Sequence, residues 1–365
     1  MHPSTADAMG SADAGEPRRR IDGLDVARAV AILGMVGSHT GDEGIRGADS
    51  DGWGWLAVTH GHPSALFAVL AGVSMTLMVT RRGTLPVTAL PRDDLSGARV
   101  RIAVRAAILI ILGFFMSALG TPVAVILGNL GLMFLLALPM LRWRSGVLLA
   151  GAGAFAVGGR WLARIASEWA GDSGMELVPV VGALWSEHYP ALAWMAYIMV
   201  GLALGRMDLR ATGTAVGLLV GGGATAAAAW TVGWALRMEL SGASDSTIEN
   251  WLTDEDHSYT PVEMVLNIGV ACAVIGLALL LAARWPRALW PLASAGSMAL
   301  TLYVAHLIVI AIVGAEMVWE PSNVSFVALA LGLVAFACVW RAAVGQGPLE
   351  RVLTSTSTAL AAPRP

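Results

Sequence analysis

The strongest constraint in this sequence is the repeated occurrence of apolar segments long enough to cross a lipid bilayer. A transmembrane helix needs about 20 mainly apolar residues, and ten segments approach that length. They lie near 24–40, 63–80, 100–118, 122–141, 146–165, 190–206, 211–236, 261–283, 295–314 and 323–341. The pattern predicts an all-α integral membrane protein, a polytopic bundle of about ten transmembrane helices.

The composition favours the same fold class. Of the 365 residues, 56% are hydrophobic and 13% are charged, about half the charged fraction of a typical soluble domain. The mean hydropathy of +0.67 also indicates a lipid surrounding rather than a water-covered surface. We therefore expect the lipid bilayer as the surrounding medium, and no nucleic acid as a partner.

The charges at the ends of the segments predict the orientation. With ten spans, most arginines fall on one side and most acidic residues on the other, so the positive-inside rule places both termini in the cytoplasm. Residues 1–20 are polar, end in an arginine run and carry no pattern of a cleaved signal peptide. We expect 1–20 to be a disordered cytoplasmic tail, 21–351 to be the transmembrane domain and 352–365 to be a second disordered tail.

Three ionisable residues, Asp25, Arg28 and His39, interrupt the first apolar segment. Arg28 and His39 share one helix face, about 16 Å apart at 1.5 Å per residue, and Asp25 lies one turn before Arg28, where the two can pair. One interpretation is an ion pair at the membrane surface, with His39 at the opposite water boundary. The other is a polar stripe along a pathway, because ionisable groups inside spans are costly and usually face a cavity.

The spacing Asp-x-x-Arg, ten residues and then His resembles the first helix of the transmembrane acyltransferases. That superfamily includes the acyltransferase-3 proteins and the heparan-alpha-glucosaminide N-acetyltransferase group. The segments His62–Met75 and Ser297–His306 are similar to later elements of the second group, and Gly347–Glu350 fits its bacterial members. The resemblance runs in order over residues 21–351 and implies a multi-pass protein of the bacterial cytoplasmic membrane.

The resemblance also implies an activity. An acyl group, with acetyl expected, would pass from cytoplasmic acyl-CoA to a hydroxyl or amine of an extracytoplasmic sugar or glycolipid, as in glycan modification of a cell envelope. His39 would act as general base or, in a less favoured route, as a transient acyl carrier, because imidazole suits proton transfer near neutral pH. Asp25 and Arg28 would complete the catalytic set by holding the donor or the helix arrangement.

Two further groups of residues are expected in the site. Arginine suits bidentate contact with phosphate, so we assign the CoA phosphates to cytoplasmic arginines. Each of these arginines could instead serve only to orient the protein in the membrane. They are Arg81, Arg82, Arg99, Arg101 and Arg105. Substrate contacts are assigned to polar residues in or near the spans: His62, Ser64, Asn129, Glu263, Tyr303 and His306. No metal ligands are expected.

Several of these residues have a structural alternative. Glu263 follows Pro261 and suits a helix N-terminus, while His306 and Asn129 could simply hydrogen-bond to other helices. The lysosomal sugar acetyltransferases carry a functional histidine in the first outer loop, a position that His60 and His62 do not clearly match. The acyltransferase-3 pattern favours His39.

Two functions of other classes remain open. A transporter or flippase would also need many spans and a polar stripe, although no internal repeat is evident between the halves. A structural scaffold would tolerate substitution of its polar residues inside the membrane. The sequence also leaves a homodimer open.

Overall fold

A computed structural model describes residues 20–44, 53–80, 92–173, 182–186, 188–240 and 257–361. These residues form helices and no strands. The first seven helices are α1 Asp22–Thr40, α2 His62–Val79, α3 Arg92–Ser117, α4 Leu127–Ala137, α5 Ser145–Ser173, α6 Ala191–Leu204 and α7 Thr212–Leu240. The others are α8 Pro261–Arg284, α9 Trp290–Gly296, α10 Ala299–Val313, α11 Glu316–Trp319, α12 Asn323–Ala343 and α13 Pro348–Ala361.

The protein is an all-helical, multi-pass membrane protein. Six helices in the described residues are long and apolar enough to cross a membrane, or seven if the bent pair α9–α10 is one span. Large apolar side chains such as Ile312, Val324 and Val339 lie exposed on helix surfaces, as expected where lipid replaces water.

Each of the ten predicted segments contains a helix, but the count of ten spans remains a prediction. With a rise of 1.5 Å per residue, α4 is about 16 Å long, roughly half the apolar thickness of a bilayer. Helix α6 has 14 residues and is also short. Helix α1 is long enough but carries Asp22, Asp25 and Arg28.

Two contacts of α1 with its neighbours define the two ends of the bundle. The start of α1 packs against the end of α8, where Gly23 meets Leu279, and Gly34 near the end of α1 meets Pro63 at the start of α2. One end therefore holds Arg20, and the other holds His39. We call these the arginine end and the histidine end.

Glycines permit the closest helix contacts, as expected for packing in lipid. Gly72 of α2 and Gly201 of α6 face each other so closely that neither position has room for a Cβ atom. Gly222 of α7 does the same against Gly269 and Ala273 of α8, whereas its neighbours Gly221 and Gly223 face open space. The nearly fully buried α6 packs against α2 and α5, and α8 packs against α1, α2 and α7.

The C-terminal tail corrects one expectation. Residues 352–361 continue a helix that begins at Pro348, where we expected disorder from residue 352. The helix packs against α3, and the Arg105 guanidinium donates hydrogen bonds to Ser357 Oγ and Thr354 Oγ1. The small and polar residues of this segment suggested disorder, but in the helix they lie on a face of α13 that packs against α3. Most of the predicted N-terminal tail lies outside the described residues.

Candidate active site

Asp25 is the buried centre of an ion network at the arginine end. Its carboxylate is fully buried and accepts from Arg20 Nε and from Arg28 Nη1, each at 2.5 Å. Arg28 also donates to Ser74 Oγ of α2 at 2.9 Å. The predicted pairing of Asp25 with Arg28 is therefore present, and Arg20, which we had treated only as an orientation signal, completes it.

A cavity of about 400 Å³ opens beside this network, within the range typical of small-molecule sites. Four guanidinium groups line it, together with the Glu350 carboxylate and mainly apolar walls. The lining residues are Arg20, Arg28, Phe67, Leu70, Ala71, Ser74, Leu77, Met78, Arg101, Arg105, Leu109, Leu130, Phe134, Gly296, Ser297, Ala299, Leu300, Gln346, Glu350, Leu353, Thr354 and Thr358. Cationic groups and a long apolar wall thus share one cavity.

The cavity runs deep into the bundle. Its wall on α2 extends from Met78 to Phe67, eleven residues and so about 16 Å along the helix axis. Arg101 and Arg105 lie on α3 and were predicted to bind the cofactor. Arg99, on the same helix, is half-buried and does not line the cavity, and Arg81 and Arg82 lie outside the described residues.

A sharp break between α9 and α10 forms the opposite wall. The two helices meet at 79°, and the break leaves polar backbone groups without helical partners. Arg20 Nη2 donates to the Ser297 carbonyl at 3.2 Å. Glu350 Oε1 accepts from the backbone N–H groups of Leu300 and Thr301, at 2.8 and 3.1 Å, and Glu350 Oε2 accepts from Thr301 Oγ1 at 2.6 Å.

This arrangement gives the Gly347–Glu350 segment a physical role. Pro348 starts α13, as proline does at first helical positions, and places Glu350 against the N-terminus of α10. A carboxylate there accepts hydrogen bonds from the free N–H groups and interacts favourably with the positive end of the helix dipole. The direction of α10, and with it the position of Tyr303 and His306, is therefore fixed by a residue from the last helix.

Deeper in the bundle, His39 and His306 form a stacked pair. Their ring centroids are 5.5 Å apart and their planes differ by 15°. His306 is fully buried. Both of its ring nitrogens, and Nδ1 of His39, make no hydrogen bond with any residue that the structure describes, although the carbonyl groups of Leu302 and Tyr303 lie close enough to His306 to interact with it. Buried polar atoms without a partner are rare in proteins and often mark functional sites.

Aromatic rings connect this pair to the cavity. Tyr303 contacts His306 edge to face, with centroids 5.0 Å apart, and stacks on Phe67 at 6.5 Å. Phe67 lines the inner part of the cavity. Tyr303 is held in place because its hydroxyl accepts from the backbone N–H of Ile126 at 3.2 Å. The order from the arginine end is therefore cavity, Phe67, Tyr303, His306 and His39.

A separate polar network lies at the histidine end. His62 Nδ1 hydrogen-bonds with Asn267 Oδ1, and Asn267 Nδ2 donates to Tyr197 Oη at 3.1 Å and Glu263 Oε1 at 3.2 Å. The Glu263 carboxylate also accepts from backbone N–H groups of His257 and Tyr259. Thr260 caps the backbone N–H of Glu263. Glu263 thus has the structural role at a helix N-terminus that its position after Pro261 suggested, and its side chain orders the preceding loop.

Three other predicted or considered residues have structural partners. The Asn129 amide donates to the carbonyl groups of Ala183 and Tyr189 and to Ser186 Oγ, so it holds the chain before α6. Ser64 Oγ donates to the Gly61 carbonyl. His60 pairs with Glu43.

Some site residues carried no clear sequence signal. Ser74 sits in an apolar helix 46 positions from Arg28, and only the packing of α1 against α2 brings the two together. Phe67 reads as one more apolar residue of a span. The buried face of α13 did have a signal, since Leu349 and Leu353, which both pack against the core, recur one turn apart.

Two family models match the chain. The model described as heparan-alpha-glucosaminide N-acetyltransferase, catalytic, matches residues 20–235, more than half of the 365 residues. The model described as protein of unknown function (DUF418) matches residues 222–358. No curated protein matches the chain.

The two matched regions meet at the site. The first contains Asp25, Arg28 and His39, and the second contains His306 and Glu350. The histidine pair thus takes one residue from each. The first match, on a helical membrane bundle with this cavity, shows that the chain belongs to the heparan-alpha-glucosaminide N-acetyltransferase family of membrane proteins, for which acetyltransferase activity is the family function.

Proposed function

We propose that the protein transfers an acetyl group from acetyl-CoA, bound from the cytoplasm, to an amine or hydroxyl of an extracytoplasmic sugar or glycolipid. The observation that carries this proposal is the continuous series of ring contacts that leads from the arginine-lined cavity through Phe67 and Tyr303 to the stacked His39–His306 pair. Family membership supplies the acetyl chemistry. In this proposal the arginine end faces the cytoplasm of a bacterial plasma membrane.

The cavity residues suit the proposed donor. Arg101 and Arg105 lie at the arginine end, where guanidinium groups can bind phosphates in pairs of hydrogen bonds. Apolar side chains such as Leu70, Leu109 and Phe134 line the inner part and suit an uncharged arm. When bound, acetyl-CoA would supply a thioester whose carbonyl carbon is open to attack.

His39 would serve as the base. It would take the proton from the acceptor nitrogen or oxygen as that atom bonds to the thioester carbonyl carbon. The carbon–sulfur bond then breaks, and the imidazolium returns the proton to the departing thiolate, so the products are the acetylated acceptor and free CoA thiol. His306 would orient the His39 ring by stacking on it, and its two ring nitrogens, which make no hydrogen bond within the described residues, would hydrogen-bond with the substrate. Arg28 and Asp25 would keep α1 in register with α2 and α9.

The path requires one side-chain movement. The Phe67 and Tyr303 rings stand between the cavity and the histidines. Phe67 is only half-buried, so rotation about its χ1 would let the thioester pass beside Tyr303. This places the chemistry away from cytoplasmic water, which would otherwise hydrolyse the donor.

The test is transfer of label from radioactive acetyl-CoA to glucosamine by the purified protein in detergent. The wild type should transfer label, and His39→Ala should lose at least about 10²-fold in kcat, as expected for removal of a general base. Ser38→Ala is the matched control, since its hydroxyl donates only to the Met35 carbonyl one turn back. Full turnover by His39→Ala, with a thermal transition like that of wild type, would exclude the assigned role.

The break between α9 and α10 favours a transporter as the second candidate, because transporters bind substrates at discontinuous helices. Here, however, Arg20 and Glu350 already bind the polar groups at the break. Proteoliposomes distinguish the two functions. Uptake of glucosamine without consumption of acetyl-CoA would indicate a transporter, whereas acetyl-CoA consumption that depends on the sugar would indicate an acetyltransferase.

A further inference from the structure

The loop before α8 has an unusual backbone. His257 and Tyr259 have φ values of 61° and 54°, and they are the non-glycine residues with positive φ in the part of the chain that the structure describes. Such conformations cost about 1–3 kcal/mol each and persist only where the surroundings enforce them. Here the Glu263 carboxylate enforces them through the N–H groups of His257 and Tyr259 and through Ser258 Oγ.

The strained backbone places two rings against a second loop. His257 contacts His188 and Tyr189, with ring centroids 6.3 and 5.9 Å apart. Tyr259 hydrogen-bonds with His257 Nδ1 at 2.9 Å and donates its hydroxyl hydrogen to the His188 carbonyl. His188, Tyr189, His257 and Tyr259 are here called the loop cluster.

The loop cluster combines an apolar floor with a polar rim. Tyr189 and Tyr259 are buried and pack edge to face against the buried Trp194. His188 is exposed and His257 half-buried, so a molecule arriving at the histidine end meets the imidazoles first. The indole N–H of Trp194 makes no hydrogen bond within the described ranges. Burial raises the pKa of Tyr189 to about 12, so its hydroxyl stays neutral.

The loop cluster lies at the histidine end of the bundle, the end that holds His39. The Glu263 carboxylate, which accepts from the backbone N–H groups of His257 and Tyr259, also accepts from Asn267 Nδ2, and Asn267 hydrogen-bonds with His62 at the start of α2. A group bound on the loop cluster would therefore lie at the end of the bundle that holds His39, away from the arginine-lined cavity. This is where an acceptor must sit if the donor reaches His39 through Phe67.

We propose that the loop cluster binds the acceptor, and that it fits the ring of a neutral or cationic sugar. Resting on the function proposed above, this inference assigns the acceptor site to residues apart from the catalytic pair. Aromatic rings suit the apolar C–H face of a pyranose, and imidazoles suit its hydroxyl or amine groups. Within the described residues, the Glu263 carboxylate in contact with the cluster is buried and bound to the loop, and none of the four residues of the cluster is an arginine that would attract an anionic ligand.

The experiment measures glucosamine binding directly, by saturation-transfer NMR on the full chain in detergent. His257→Asn is the main variant, because asparagine tolerates a positive φ and keeps the loop conformation without the imidazole. Tyr189→Ala removes part of the aromatic floor. Trp55→Ala is the matched control, an exposed aromatic residue that precedes α2 at the same end of the bundle.

We expect glucosamine to bind the wild type and the Trp55→Ala variant equally, and at least about 10-fold more weakly to His257→Asn and Tyr189→Ala. The Michaelis constant for acetyl-CoA should stay unchanged in all of them. Unaltered sugar binding in both variants, or no binding to the wild type, would overturn the assignment. A wild type that binds glucosamine without acetylating it would refute the proposed function, and the loop cluster would then be a sugar-binding site without a role in acetyl transfer.

Discussion

The imidazoles of His39 and His306 lie stacked, with 5.5 Å between their ring centroids, although the two residues are 267 positions apart in the chain. One comes from the end of α1 and the other from the middle of α10. Two charged imidazolium rings would repel each other at this distance, so the stacking disfavours the state in which both rings are charged. In the proposed reaction His39 must start as the neutral imidazole, because only that form can accept a proton.

The first prediction concerns the nitrogens of His306. His306→Phe keeps a ring of similar shape against His39 but removes both nitrogens, and kcat should fall about 10²-fold while the thermal transition changes little. Measurement of acetyl transfer to glucosamine tests this. Ile308→Ala, an exposed position on the same helix, serves as control. If His306→Phe works at the wild-type rate, His306 contributes packing alone.

The second prediction concerns donor binding at the arginine end. Arg105→Ala should raise the Michaelis constant for acetyl-CoA about 10- to 100-fold, the loss expected for hydrogen bonds to a charged group, with kcat largely retained. The exposed Arg164→Ala variant should match the wild type, since Arg164 pairs with Glu168 on the surface.

Arg105 also bonds to α13, so a second control is needed. Ser357→Ala removes that hydrogen bond but keeps the guanidinium, and its Michaelis constant for acetyl-CoA should stay near the wild-type value. The assignment of the cavity to the donor fails if the double variant Arg101→Ala, Arg105→Ala binds acetyl-CoA normally.

The third prediction concerns the cap on α10. Glu350→Gln preserves the size of the side chain but replaces the carboxylate that accepts from Leu300, Thr301 N–H and Thr301 Oγ1. Loss of the charge should lower the free energy of unfolding by about 1.5–3 kcal/mol. Thermal unfolding in detergent provides the measurement. Glu320→Gln, which changes an exposed acid, should unfold at the same temperature as the wild type. Equal unfolding temperatures for Glu350→Gln and Glu320→Gln would argue against the cap.

The fourth prediction concerns the crossing of α1 and α9. A Cβ atom at Gly296 would collide with the backbone carbonyl of Asp25, and backbone cannot move aside cheaply. Gly296→Ala should therefore destabilise the fold by about 1–3 kcal/mol. Gly153→Ala adds the same methyl group where nothing lies within 4 Å, and should be neutral or slightly stabilising because alanine favours helices. Equal stability of the two variants would contradict the close crossing.

The sequence by itself determined the fold class and the first half of the site. Apolar segments of membrane-spanning length require helices, because in lipid the backbone must satisfy its own hydrogen bonds. The spacing of Asp25 and Arg28 on one helix predicted their ion pair, which helix geometry alone produces. The spacing of residues on one helix does not distinguish an ion pair at the membrane surface from a polar pathway, because it contains no information about neighbouring helices.

Only the tertiary structure decided which distant residues meet. Glycine crossings bring α1 against α2 and α9, and so join Arg28 to Ser74 and Arg20 to the break before α10. The helical C-terminal segment closes the cavity and fixes α10 through Glu350, where composition suggested disorder. Periodicity specifies which face of a helix is apolar, but in a bundle where most faces are apolar, the choice of partner depends on shape.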